Sequence, residues 1–323
     1  MINLRYHIVS LVAVFLALAL GIVMGSTVID KAIVDELRDR VESVNNRASS
    51  TDRENSTLRG QLEMMRGFAD EARDQLVQDR LRGVPVLVVA VQGIDRKPVE
   101  AVRDALATAQ AVPAGTLLFT NKFRLDNDAD VRALATAVGT NPQAGADTVR
   151  RQALTRLAAL LDGSPTDAGL LSALAASGFV GYEPPSPATT TTTLRLTSFP
   201  VPNLRIVLVS GAGAEVGDDR VGVPFAQALI AQAPAPAQSQ AGSAVGRLVA
   251  AESGADVAGG RAVFVGPLRA DGSVAPKLST VDNLESPIGQ AAAVLALADL
   301  GEGRTGQYGV GPGAQHLLPS LEP

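Results

Sequence analysis

Cysteine is absent from the 323 residues, which excludes disulfides, thiolate metal centres, iron–sulfur clusters and cysteine nucleophiles. Histidine occurs only as His7 and His316, too few for a multi-histidine zinc site and nearly too few for a histidine-based triad. Methionine is confined to Met1, Met24, Met64 and Met65. Aromatic residues are also scarce, with 8 Phe, 3 Tyr and no Trp, so any core must be built from aliphatic side chains and alanine. An excess of basic charge is missing as well. There are 28 Lys and Arg against 33 Asp and Glu, for a net charge of −5, without the basic excess expected of a nucleic-acid partner. With 46% hydrophobic residues the chain can still bury a substantial core. No catalytic residue is assigned, and an enzyme is not expected.

What is present begins with an apolar run. Residues 8–25 read IVSLVAVFLALALGIVMG, eighteen positions in which Ser10 is the only polar side chain. As a helix this run spans about 27 Å, close to the ~30 Å hydrocarbon core of a bilayer. Arg5 and the N-terminal amine put positive charge on the leading side, which predicts a cytoplasmic tip over 1–7 and an extracytoplasmic remainder. A cleaved signal peptide is the main competing reading. Its small-x-small triplet, Ala17-Leu18-Ala19, lies inside the run rather than after it. A buried soluble helix is the third.

Residues 30–82 carry 22 of the 61 charges and no proline. They also repeat in sevens. With a at Val34, Val41, Ala48, Asn55, Leu62, Ala69 and Leu76, the d positions are Leu37, Val44, Thr51, Leu58, Met65, Ala72 and Asp79. Eleven of these fourteen are apolar, which predicts a coiled-coil stalk reaching about 80 Å. Thr51 and Asn55 interrupt the seam, and a buried Asn at a commonly sets register and strand number. Arg59, Arg66, Arg73 and Arg80 recur at e. They form either a solvated stripe paired along its own helix or the docking edge for an acidic partner. Met64 and Met65 point about 100° apart on a helix, so they do not converge on one copper ion.

Residues 84–323 alternate strands and helices. The run Val84 to Val91 reads as a strand buried on both faces, and Leu204 to Ser210 opens a second half in the same way. Further strands are expected at 116–120, 178–182, 246–251 and 261–266. Helices are expected at 97–110, 128–138, 146–161, 167–177, 222–232 and 287–300, with Pro287 suited to a first turn. A Pro- and Thr-rich linker at 184–193 and a Pro/Ala/Gln loop at 233–242 separate them. The fold class is α/β, with a mainly parallel sheet and two similar halves as a possible duplication. Gly211-Ala212-Gly213-Ala214-Glu215-Val216-Gly217 follows a strand as a dinucleotide-binding turn does. Glu215, Asp218 and Asp219 place negative charge where a pyrophosphate would lie, however, and an exposed glycine loop is the better reading.

The two ends of the chain are the most distinctive. The opening INLRYHIVSLVAVFLALALG (residues 2–20 and Gly21), the charged coil, Ser279-Thr280-Val281-Asp282-Asn283 and Gly306-Gln307-Tyr308-Gly309-Val310-Gly311-Pro312-Gly313-Ala314 together resemble the actinobacterial MctB family. The resemblance spans the whole chain. It implies copper transport and an outer-membrane location. Through members known as SteB, it also implies a membrane partner, SteA, in the control of septal cell-wall hydrolysis. Copper is thus a cargo by resemblance alone. Copper sites favour thiolate, thioether and imidazole donors, and beyond the stalk His316 is the single weak candidate. A barrel pore would need alternating strands of about ten residues, which this sequence lacks. The reading favoured by the residues is a membrane-anchored, non-catalytic envelope scaffold. Its stalk would pair with a second copy or with a SteA-like membrane protein, and copper transport is the alternative.

Overall fold

The computed structural model describes residues 4–163, 169–185, 195–232, 247–254 and 262–320. The chain divides into two units, one up to Arg66 and one from Gly67 onward.

The first unit is helical. Helix α1 (Leu4–Val77) contains no proline and is unbroken over 74 residues. Its segment Arg5–Gly25 has a mean hydropathy of 2.8, with none of it buried against the protein, and it is long and apolar enough to cross a membrane. Beyond it, Val34, Leu37, Val41, Val44, Leu58, Leu62 and Met65 are all exposed, Leu62 at 53%.

Among the described residues the second unit is an open sheet of seven strands: β1 (Pro85–Val91), β2 (Val112–Phe119), β3 (Val180–Glu183), β4 (Arg205–Gly211), β5 (Leu248–Ser253), β6 (Ser279–Val281) and β7 (Gln307–Tyr308). Their order is β3-β2-β1-β4-β5-β6-β7. Strand β3 runs antiparallel to β2, and every other pairing is parallel. The central register places Val89 beside Leu117 on one side and Leu208 on the other. The mainly parallel α/β class expected from the sequence is the one observed.

Strand alternation gives the sheet two cores. Leu87, Val89 and Val91 face a core shared with α3 (Asp128–Ala137), α4 (Ala146–Leu161), α5 (Leu170–Ala176), α6 (Gly222–Gln232) and α7 (Val265–Ala270). Half of the phenylalanines meet there, in edge-to-face contacts of 5.2 Å for Phe119–Phe123, 5.0 Å for Phe119–Phe225 and 5.5 Å for Phe123–Phe179. Val86, Val88 and Ala90 face the opposite core with α2 (Arg96–Thr108) and α8 (Pro287–Leu300). Helix α8 is capped by Ser286, whose hydroxyl accepts from the Gly289 amide, and it starts on Pro287 as expected. Its alanines at 291, 292, 293 and 296 are fully buried, so small side chains let the helix lie close to the sheet.

Three differences from the sequence reading have local causes. In the stretch expected as a strand at 261–266, the described residues 262–266 do not form one. Residues 263–264 turn into α7, because Glu252 at the end of β5 takes the amides of Val263 (2.7 Å), Phe264 (3.3 Å) and Val265 (2.9 Å) and winds them into a first turn. Strands β6 and β7 lie where the sequence reading expects no strand. Helix α1 ends at Val77, so Asp79, placed at the last d position, lies beyond it with φ at +61°. Most of the 184–193 linker and the 233–242 loop lie outside the described residues.

Candidate functional site

In a sheet of this order a ligand crevice would lie where the strand order reverses, at the carboxyl ends of β1 and β4. Here that crevice is closed. The Glu215 amide donates to the Gln92 carbonyl at 2.7 Å. Gly93 and Gly213, both at positive φ, press together so closely that a Cβ on Gly93 would overlap the Gly213 carbonyl. Helix α6 begins only at Gly222, so the loop that follows β4 does not run directly into a helix N-terminus. The acidic charge that weighs against a dinucleotide site therefore has a geometric counterpart.

Behind this loop Asp218 and Asp219, the acids that weighed against a pyrophosphate, are joined by Glu252, which the sequence did not single out. The Ser210 hydroxyl donates to Asp218, and burial pushes the Asp218 carboxyl up to about 6, with the Ser210 bond opposing and the charges of Glu252 and Asp219 adding. The Glu252 carboxyl is likewise raised by burial, against the three α7 amides and the Arg269 charge that favour its ionised form. The folded chain holds the Asp218 proton more tightly than an unfolded one, whose carboxyl titrates near 3.8. Its contribution to stability is complete below about pH 4 and is lost as pH rises through about 6. Asp218→Asn is expected to flatten that window and to raise stability at pH 7.5 by about 1–2 kcal/mol, read from Tm across pH 4–8. Among the described residues no three His, Asp or Glu side chains are placed to hold a metal ion.

The distinctive C-terminal segments come together around one buried ion pair. Arg269 on α7 and Asp282 just after β6 are 3% and 0% exposed and meet at 2.7 Å. Arg269 Nε donates to Thr280 Oγ1 at 2.7 Å, and Nη2 donates to the Tyr308 carbonyl at 2.7 Å. Asp282 also accepts from the amides of Val310 (2.7 Å) and Gly311 (3.0 Å). Thr280 Oγ1 donates to Gln307 Oε1 at 2.6 Å, and the Gly306 amide donates to Ser279 Oγ at 3.2 Å. Gly309, at φ +126°, leaves no room for a Cβ beside the Asp282 carboxylate, and Val281 fills the core beneath. Ser279, Thr280, Val281, Asp282, Gly306, Gln307, Tyr308 and Gly309 thus build a fully satisfied knot that closes the sheet edge. Arg269, its centre, carried no signal in the sequence, because its partners are scattered across more than forty positions.

The stalk residues divide. Val34, Leu37, Val41, Val44, Asn55, Leu58, Leu62 and Met65 remain exposed, as do Arg59 and Arg66. Leu76 is half-buried, and Arg73 donates to Gln290 Oε1 on α8 at 2.7 Å while pairing with Asp70 and Asp74. Arg80 lies past the helix, with its Nε donating to the Leu76 carbonyl. The four arginines therefore do not form one continuous edge. A groove that the sequence did not foretell runs beside α2, mostly apolar in its lining, with Arg96 and Arg103 both reaching Glu183, at 2.9 and 3.5 Å. It opens into clefts of about 390 and 460 Å³.

For a copper cargo the donor chemistry does not fit the second unit. His316 is its single imidazole, thiolate or thioether, and it is exposed beside β7 with its backbone tied to Gln307 and Gly309.

Comparison with known proteins bears on the whole length. The family described as "Copper transport outer membrane protein, MctB" matches residues 1–319. The protein named copper transporter MctB of Mycobacterium tuberculosis is 28% identical over 337 residues, covering 99% of this chain and 100% of the relative. Its namesake in Mycobacterium leprae is 30% identical over 334 residues, covering 98% and 99%. The match takes in the apolar helix, the seam and the C-terminal knot alike, and the chain belongs to the MctB family.

Proposed function

We propose that this chain is a membrane-anchored, non-catalytic scaffold of the cell envelope. Helix α1 fixes it in the membrane, and the α/β domain is held on the outer side. The observation that carries this reading is a single helix with two exposed apolar stretches of different kinds. One is apolar all round and of bilayer length, and the other is a narrow 3-4 seam suited to another helix. The closed switch-point crevice and the fully satisfied C-terminal knot support a role in binding rather than in chemistry. Control of septal cell-wall hydrolysis beside a SteA-like membrane partner is the setting in which such a scaffold would act. Alkaline phosphatase fused after Gly83 is expected to be active, and a reporter that works only in the cytoplasm to be silent at the same junction. The reverse pattern would overturn the topology and the scaffold with it.

The name of the relatives favours one other reading, transport of copper as cargo. Titration of the purified full chain with Cu(I) against a competing chelator separates the two. The scaffold reading expects no stoichiometric high-affinity ion, because soft donors are so few. One ion per chain, lost in His316→Ala, would restore the copper reading.

A further inference from the structure

We infer that the occupant of the α1 seam is a second copy of this chain, aligned parallel and in register over Val34–Met65. The inference rests on the scaffold reading and names its partner. It follows from charges that the folded chain leaves unused. Among the described residues Arg38 pairs with Asp35 and Arg40 with Glu36 along their own helix, but Arg47, Asp52, Glu54 and Arg59 form no ion pair within the chain.

In a parallel coiled coil each g residue faces the e residue five positions on in the other helix. From Arg40 to Arg66 this rule couples Arg40 with Asn45, Arg47 with Asp52, Glu54 with Arg59, and Gln61 with Arg66. The two couples of opposite charge are built from these four side chains, and no couple brings like charges together. Among the described residues Asp39, Glu42, Arg53 and Glu63 likewise form no ion pair within the chain, but they fall at b and f, away from the seam. The two couples also bracket the polar layer, so that Asn55 of one protomer meets Asn55 of its partner and Thr51 meets Thr51. A slip of one heptad would set Asn55 against Ala48 or Leu62. An antiparallel alignment that matches Asn55 with Thr51 would set Asp52 beside Asp52 and Glu54 beside Glu54. Charge and polarity select the same alignment independently.

The absence of cysteine makes the test clean. Val41→Cys and Leu62→Cys, each made singly in the full chain and oxidised in native membranes, are both expected to give disulfide-linked dimers. An a position in a parallel pair brings the two Cα atoms to about 6 Å, inside disulfide range. An antiparallel pair cannot link both sites to themselves. Glu54→Arg is expected to weaken self-association about tenfold in detergent, and Glu54→Arg with Arg59→Glu to restore it. Failure of both cysteines to cross-link, or cross-linking of Val41→Cys only with Met65→Cys in a mixture, would overturn the inference. If both fail while Leu62→Asp still abolishes function, the seam has a different partner and the scaffold reading stands without a second copy.

Discussion

Asp282→Ala is expected to destabilise the α/β domain by about 3–5 kcal/mol, because it strands the Arg269 guanidinium in a dry interior. The guanidinium would keep Thr280 Oγ1 and two carbonyls, at Tyr308 and Pro312, but no counter-charge would remain within hydrogen-bond reach. The amides of Val310 and Gly311 would lose their acceptor in the same step. Replacing both charges, as Arg269→Met with Asp282→Leu, is expected to recover part of the loss, since the uncompensated charge is the larger cost. Urea unfolding of the full chain in detergent, followed by far-UV circular dichroism, measures both. A loss below about 1 kcal/mol in Asp282→Ala would show that solvent reaches the pair.

Leu62→Asp is expected to abolish association through α1 and the function that depends on it, while the α/β domain stays folded. An aspartate at an a position must lose its hydration against an apolar neighbour, at a cost of several kcal/mol unless the helices part. The same residue is exposed in the single chain, so the substitution does nothing to the isolated fold. Native-membrane pull-down of tagged with untagged copies reads association, and complementation of a deletion strain reads function. Unchanged association and phenotype would reduce the seam to a solvated tether.

Periodic features were legible in the sequence because each depends on near neighbours. Helices at 146–161 and 287–300 have the bounds that apolar spacing and Pro287 indicate, and the strands at 85–91 and 205–211 stand out through their valine-rich apolar runs. The misses share another cause. Strands β6 and β7 are three and two residues long, too short for any pattern, and exist because the Arg269–Asp282 knot holds them. The 261–266 run has strand composition but meets a carboxylate from another part of the chain. The last stalk heptads misled because Ala69, Ala72 and Leu76 suit a partner helix and the face of a domain equally well. Only the position of Arg73 against Gln290 distinguishes them, and that contact spans 217 residues.

Val77 and Leu81 are completely buried in the core that α2 and α8 share with the sheet. The end of α1 therefore melts with the sheet as one cooperative block, and its amides should exchange with solvent deuterium only on global unfolding. A fragment cut at Val84 would forfeit two buried side chains worth roughly 1.5–3 kcal/mol each, so an autonomous domain has to start near Gly67. The stretch before it draws on no such reserve. Over 34–66, past the apolar segment, the backbone bonds are open to water and the seam is uncovered, which leaves fast-exchanging amides in the single chain and protected ones wherever a second helix lies alongside.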